Sequence, residues 1–169
     1  GDRADQPYVI RTAPTGAAAC LIDGTTLHSA FGFDFSGKFT TLTGKKKVDK
    51  IQEMKNLRFV IVDEVSMMPA DMLYNLNLRL QEVRENDELF GGVMLICFGD
   101  LMQIRPVKQR WVFEAPAMGG EDLVTAHELD PLWEKLEVVN LEENHRQGED
   151  KEYADLLLRA RVGELSKED

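Results

Sequence analysis

The run FVIVDEVSMM, residues 59–68, sets four apolar residues directly before two adjacent carboxylates. Phe59 to Val62 has no polar face, so it reads as a strand covered on both sides, as in a parallel sheet. In parallel α/β folds ligands gather beyond the carboxyl ends of the strands, which is where Asp63 and Glu64 would stand. One acid there can hold Mg2+ through water, and the second can orient or deprotonate an attacking water. The same pair can equally do no more than start a turn and cap the next helix.

A second stretch repeats the pattern. VMLICFGDLMQIRPV, residues 93–107, is another apolar strand, ending in Gly99-Asp100 and followed by Gln103. Two such strands would deliver polar groups to one sheet edge. A neutral amide can accept from water and donate to a phosphate oxygen, so Gln103 suits the sensing of a terminal phosphate; the bland alternative is a Gly-Asp turn with a solvated glutamine.

Four β-rich runs, Tyr8–Thr12, Phe59–Val62, Val93–Phe98 and Val138–Leu141, lack clean alternation and are each expected to be buried on both faces. Helical patterns separate them. Pro69 to Arg84 carries Met72, Leu73, Leu76, Leu80 and Val83 on one face, and Glu149 to Val162 carries Tyr153, Leu156, Leu157 and Ala160, with Gly163 placed to close that helix. Thr15–Leu21 and Thr26–Phe31 predict short helices broken at Gly24. Residues 32–56 read as a surface insertion and 108–128 as a long connection. The alternation of strand and helix argues for an α/β fold with a mostly parallel sheet flanked by helices.

Length and composition bound the rest. The 169 residues fit one domain, and 43% hydrophobic with 30% charged residues fits a globular chain. The opening GDRADQPYVIRTA lacks a basic-then-apolar signal and enters a strand-like run at once, which suggests a fragment. A net charge of −10 argues weakly against nucleic acid, because a narrow basic groove can sit on an acidic body. Cys20 and Cys97 lie in apolar runs and are expected to be buried free thiols; His28, His127 and His145 are too scattered for a zinc site.

The ordered set of motifs resembles the Pif-one (petite integration frequency) DNA helicases, in the RecD-like branch of superfamily one. TAPTGAAACLIDGTTLHS at 12–29 is similar to motif Ia, DEVSM at 63–67 to motif II, GDLMQIRPV at 99–107 to motif III and LEENHRQ at 141–147 to motif IV; YADLLLRARVGE at 153–164 resembles the stretch that follows. Helitron-type transposon helicases share these motifs. The resemblance implies a partial RecA-like P-loop NTPase lobe over residues 1–169, with 32–56 as a small insertion and 141–169 leading toward a second lobe. It implies an ATP-dependent helicase moving 5′ to 3′ on single-stranded DNA and unwinding forked duplex in genome maintenance. The implied location is the nucleus, with the mitochondrion as the alternative.

By motif, Asp63 would hold Mg2+ through water and Glu64 would activate water. Gln103 would read the γ-phosphate of ATP, and Arg146 would contact it and stabilise developing charge. Pro14, Thr15, Gly16 and His28 would lie along the DNA face. Phe33, with Phe31, Phe35, Phe39 and the lysines at 45–47, has a composition suited to stacking and phosphate contact, although packed rings and solvated lysines are the plainer account. Two departures stand out. No G-x-x-x-x-G-K-[ST] occurs, and motifs V and VI are missing, so the partners implied include further segments of the same polypeptide and the chain alone is expected to be inactive. In motif III the family usually has two prolines, and here Arg105 replaces the first. The alternative function is a non-catalytic, transposon-derived remnant that binds DNA or protein.

Overall fold

Val9–Ala13 (β1), Thr25–Thr26 (β2), Phe59–Val62 (β3) and Met94–Cys97 (β4) pair in parallel, in the order β2-β1-β3-β4. The computed structural model describes residues 6–116, 131–141, 143, 145 and 151–166. These fall into two units, Gly1–Lys135 and Leu136–Asp169. The sheet belongs to the first, with helices Gly16–Leu21 (α1), Leu27–Phe31 (α2), Gly44–Glu53 (α3) and Ala70–Arg84 (α4).

The register aligns Val9 with Phe59 and Met94, and Thr12 with Val62 and Cys97. Side chains alternate along a strand, so these two rows lie on opposite faces. Thr12, Val60 and Val62 are fully buried, whereas Val9, Phe59 and Met94 are exposed. The expectation of burial on both faces therefore holds for one face alone. Apolar composition tells what environment a strand suits, and it does not tell which segment supplies the cover. Thr12 also locks β1 to β3, its Oγ1 donating to the Ile61 carbonyl at 2.8 Å.

The helices begin and end where their cap chemistry dictates. Thr15 accepts from the Ala18 amide at the start of α1, and Thr26 accepts from the Ser29 amide at the start of α2. Gly24 is required between them, because a Cβ there would stand 2.5 Å from the Arg11 carbonyl oxygen. Gly24 breaks the helical pattern as expected, but the two-residue strand β2 that follows it carries no signal in the sequence. In α4 the predicted stripe is buried at Leu73, Leu76, Leu80 and Val83, while Met72 is half-buried. Each fully buried leucine contributes about 1.5–3 kcal/mol relative to exposure.

Residues 32–56 are more ordered in plan than an undivided surface insertion. They contain α3, and α4 grips the segment before it. Asn75 donates to the Gly37 carbonyl at 3.1 Å, Arg79 to the Thr40 carbonyl at 2.7 Å, and Glu82 accepts from the Leu42 amide at 2.7 Å. Spacings of four and three residues put these three side chains on one helix face. Arg79 is almost wholly buried, paired with Glu82, and its guanidinium lies 5.8 Å from the Phe33 ring centre and 5.0 Å from that of Phe39.

The second unit carries helix Lys151–Val162 (α5), closed by Gly163 with φ +76 as its position predicted. Along its expected apolar face Leu156 is half-buried, and Tyr153 and Leu157 are exposed. Val138–Leu141 is not a strand. Val138, Val139 and Leu141 are exposed, and no strand among the described residues of that unit is there to pair with them. A β-rich run becomes a strand only where a ladder partner exists.

Candidate functional site

The acids at 63 and 64 stand at the carboxyl end of β3, beside the end of β4. The Asp63 amide donates to the Thr12 carbonyl at 2.9 Å, and the Phe98 amide donates to Val62 at 2.8 Å, so three strand ends are tied in line. Glu64 then takes the left-handed conformation, φ 52 and ψ 46, and a 3-10 turn follows at Val65–Met67. A non-glycine residue held there costs about 1–3 kcal/mol, and such positions concentrate at functional sites. Glu64 makes no side-chain cap bond, so the turn expected from the bland alternative forms while the capping role does not.

A cavity of about 500 Å3 opens beside Asp63, lined also by Arg11, Leu21, Ile22, Asp23, Ile61 and Phe98. Asp63 and Glu64 are both half-buried. Among the described residues no three His, Cys, Asp or Glu side chains gather at metal-ligand spacing. A single carboxylate on an open cavity fits Mg2+, which keeps much of its water and needs only one or two protein carboxylates. Gln103 is exposed; its amide Nε2 lies 3.4 Å from Asp100 Oδ2, and its backbone N–H donates to the Asp100 carbonyl at 2.9 Å. Arg146 lies outside the described residues.

Pro14, Thr15, His28 and Phe33 come together in a different place. They line a cleft of about 300 Å3, with Phe35, Asn75, Arg105 and Gln109 among its other walls. Gly16 is not in the lining; it starts α1 next to Thr15, and a Cβ there would meet nothing within 4 Å, so its backbone is open to approach. Asp63 thus lines one cavity, and four of the five expected DNA residues line another.

Within the aromatic cluster the rings divide. Phe31 is fully buried, Phe33 is half-buried against Arg79, and Phe35 is 92% exposed. Phe35 stacks on His28 with centroids 4.8 Å apart and planes 20° apart. Phe33 is the expected stacking ring, yet Phe35 is the more exposed ring on the cleft. Composition could not rank two phenylalanines on neighbouring turns of one loop. The Asp34–Ser36 pair was the available signal: Asp34 Oδ1 accepts from the Ser36 amide at 2.9 Å, the local turn that sets Phe35 outward. Bonds from Ser36 hold the Asp34 carboxyl below its usual range. Lys45, Lys46 and Lys47 lie at the start of α3, and none lines the cleft.

The cysteines depart from expectation in one case. Cys97 is half-buried, with its thiol pushed up to about 12 by desolvation, but Cys20 is exposed because α1 turns Ala18 and Ala19 inward instead.

A parallel sheet with paired acids and a Gly-Asp-x-x-Gln edge at its carboxyl ends defines a RecA-like lobe of the helicase class. The family model described as PIF1-like helicase matches residues 3–169. The ATP-dependent DNA helicase PIF1 of Candida albicans is 33% identical over 158 residues, covering 91% of this chain and 17% of that protein. Its counterpart in Saccharomyces cerevisiae is 32% identical over 167 residues, covering 93% and 18%. A Pif1 helicase from Bacteroides, solved in complex with ADP-AlF3 and ssDNA, superposes with a TM-score of 0.74 at 31% identity, over 95% of this chain and 38% of that one. The Candida albicans Pif1 structure gives 0.70 at 30% identity, over 95% and 35%. The chain belongs to the PIF1-like helicase family. It spans about a sixth of the length of these curated relatives.

Proposed function

We propose that this chain is the part of a first RecA-like lobe running from motif Ia to motif IV in an ATP-dependent DNA helicase. The helicase couples ATP hydrolysis to 5′-to-3′ translocation on single-stranded DNA and to the unwinding of forked duplex, in genome maintenance. A nuclear location, with the mitochondrion as the alternative, goes with that reading. The observation that carries it is the alignment of Asp63, Glu64 and the Gly99–Gln103 loop at the ends of two adjacent parallel strands.

Asp63 would hold Mg2+ through water, and the ion would neutralise phosphate charge as the terminal phosphoryl leaves. Glu64 takes a proton from, or orients, the attacking water; its left-handed backbone fixes where the carboxylate starts. Gln103 donates its amide to the terminal phosphate, and Arg146 supplies a positive charge to the transition state. Pro14, Thr15, Gly16, His28 and Phe33 guide the single strand; the Thr15 hydroxyl and the amides near Gly16 contact phosphates without adding net charge. The segment 32–56 acts as a small element on the DNA side of the lobe, and 141–169 leads toward a second lobe.

The retained Asp63, Glu64 and Gln103 favour the helicase over the non-catalytic alternative, because a decayed site has no reason to keep them. DNA-stimulated ATP hydrolysis by the full polypeptide tests the proposal. Glu64→Gln is expected to abolish hydrolysis while single-strand binding persists. Hydrolysis at the unmodified rate in that variant would remove Glu64 from the reaction and overturn the assignment.

A further inference from the structure

The cleft carrying Pro14 and His28 holds two groups to which motif II chemistry gives no role. Phe35 is 92% exposed, yet its ring is fixed from one side by His28 at 4.8 Å. Arg105 is exposed on the same cleft, and among the described residues it is the one arginine or lysine in the lining and makes no hydrogen bond or ion pair. Asp34 and Asp71 line the cleft too, so a polyanion needs a cation there to offset them. We propose that Phe35 and Arg105 form a two-point grip on one nucleotide of a single strand: the base stacks on the free face of Phe35, and a neighbouring phosphate pairs with the Arg105 guanidinium.

The inference rests on the single-strand reading of this cleft and adds which side chains set affinity and which sets salt dependence. Base–aromatic stacking tolerates any sequence, since every base has a π-face. A guanidinium fork matches two phosphate oxygens, and its pairing releases counterions. The two contacts therefore leave different signatures.

The test is fluorescence anisotropy of labelled oligo-dT with the 169-residue chain at several salt concentrations. Phe35→Ala is expected to weaken binding by about 5- to 150-fold with the salt slope unchanged. Arg105→Gln is expected to flatten the slope of log K against log salt by about 0.7, and Arg105→Lys to restore it. Both side chains are exposed, so the fold should survive each change. In Phe35→Trp, the added tryptophan emission should be quenched by the oligonucleotide. Unquenched emission, or wild-type affinity in Phe35→Ala, or a wild-type slope in Arg105→Gln overturns the grip while single-strand binding stands. An unmodified chain with no measurable affinity for oligo-dT at low salt overturns the single-strand reading itself, and the grip with it.

Discussion

Val65 donates its amide to the Phe98 carbonyl at 2.9 Å, so the turn that begins at Glu64 is anchored to the end of the neighbouring strand. That anchor leaves no space at Gly99. A Cβ there would stand 2.9 Å from the Val65 nitrogen, and φ at Gly99 is +153, a conformation that suits glycine. Gly99→Ala should therefore push the Glu64 turn away from β4 and cost about 1–3 kcal/mol. Urea unfolding of the variant reads this directly. An unchanged midpoint would show that the turn relaxes without strain.

Arg79 is the pin between α4 and the 33–42 segment. Removing it leaves Glu82, only 11% exposed, with the Leu42 amide but without its ion-pair partner. Breaking a buried pair of this kind costs about 3–5 kcal/mol, so Arg79→Ala should be among the most damaging single changes in the chain. Arg79→Lys should recover little, because an ammonium cannot reach Glu82 and the Thr40 carbonyl while lying flat over Phe33 and Phe39. Near-normal stability in the lysine variant, by thermal or urea unfolding, would mean that charge alone is what this position supplies.

Much of this was readable in the sequence, and the reasons differ by element. The span of β3 is legible to the residue because an apolar run is cut off by two acids. The stripe on α4 is legible because its period survives for four turns. The two-residue β2 and the grip of Asn75, Arg79 and Glu82 on a distant loop are not, since both depend on long-range contacts that no local pattern encodes. Arg79 stands outside the apolar stripe and is buried all the same, and Cys20 reads as buried and is exposed. Val138–Leu141 shows the limit from the other side, as β composition without a ladder partner.

The sequence also bears on nucleotide handling. Affinity for phosphates in such sites comes largely from backbone amides of a phosphate loop and its lysine, and no such motif lies in these 169 residues. The purified chain should bind Mg-ATP very weakly and not turn it over. Steady, DNA-stimulated phosphate release from the chain alone, lost in Glu64→Gln, would contradict this.

The two thiols should separate cleanly by reactivity. The thiolate is the nucleophile, and burial raises the Cys97 thiol from 9.0 to about 12 while Cys20 is exposed. Near pH 8, iodoacetamide should modify Cys20 quickly and Cys97 only after unfolding. Because the folded value lies above the unfolded one, the contribution of Cys97 to stability is complete below pH 9.0 and declines as pH rises toward 12. Equal labelling rates at both cysteines, read by peptide mass analysis, would show that the β4 end opens readily.

The open sheet face carries the last expectation. Val9, Phe59 and Met94 lie in one row across three adjacent strands and are 45%, 37% and 59% exposed. An apolar row of this kind, with β4 at the sheet edge, favours association between copies. The isolated chain should therefore self-associate as its concentration rises, with a melting temperature that depends on concentration. Lysine at the row's outer member, Met94→Lys, places a charge on that face without touching the buried Val60 and Val62 on the other. It should shift the chain toward monomer in light scattering at unchanged helix content. A monodisperse monomer in the unmodified chain, melting at one temperature across a hundredfold dilution, would mean that this face is not adhesive despite its exposure.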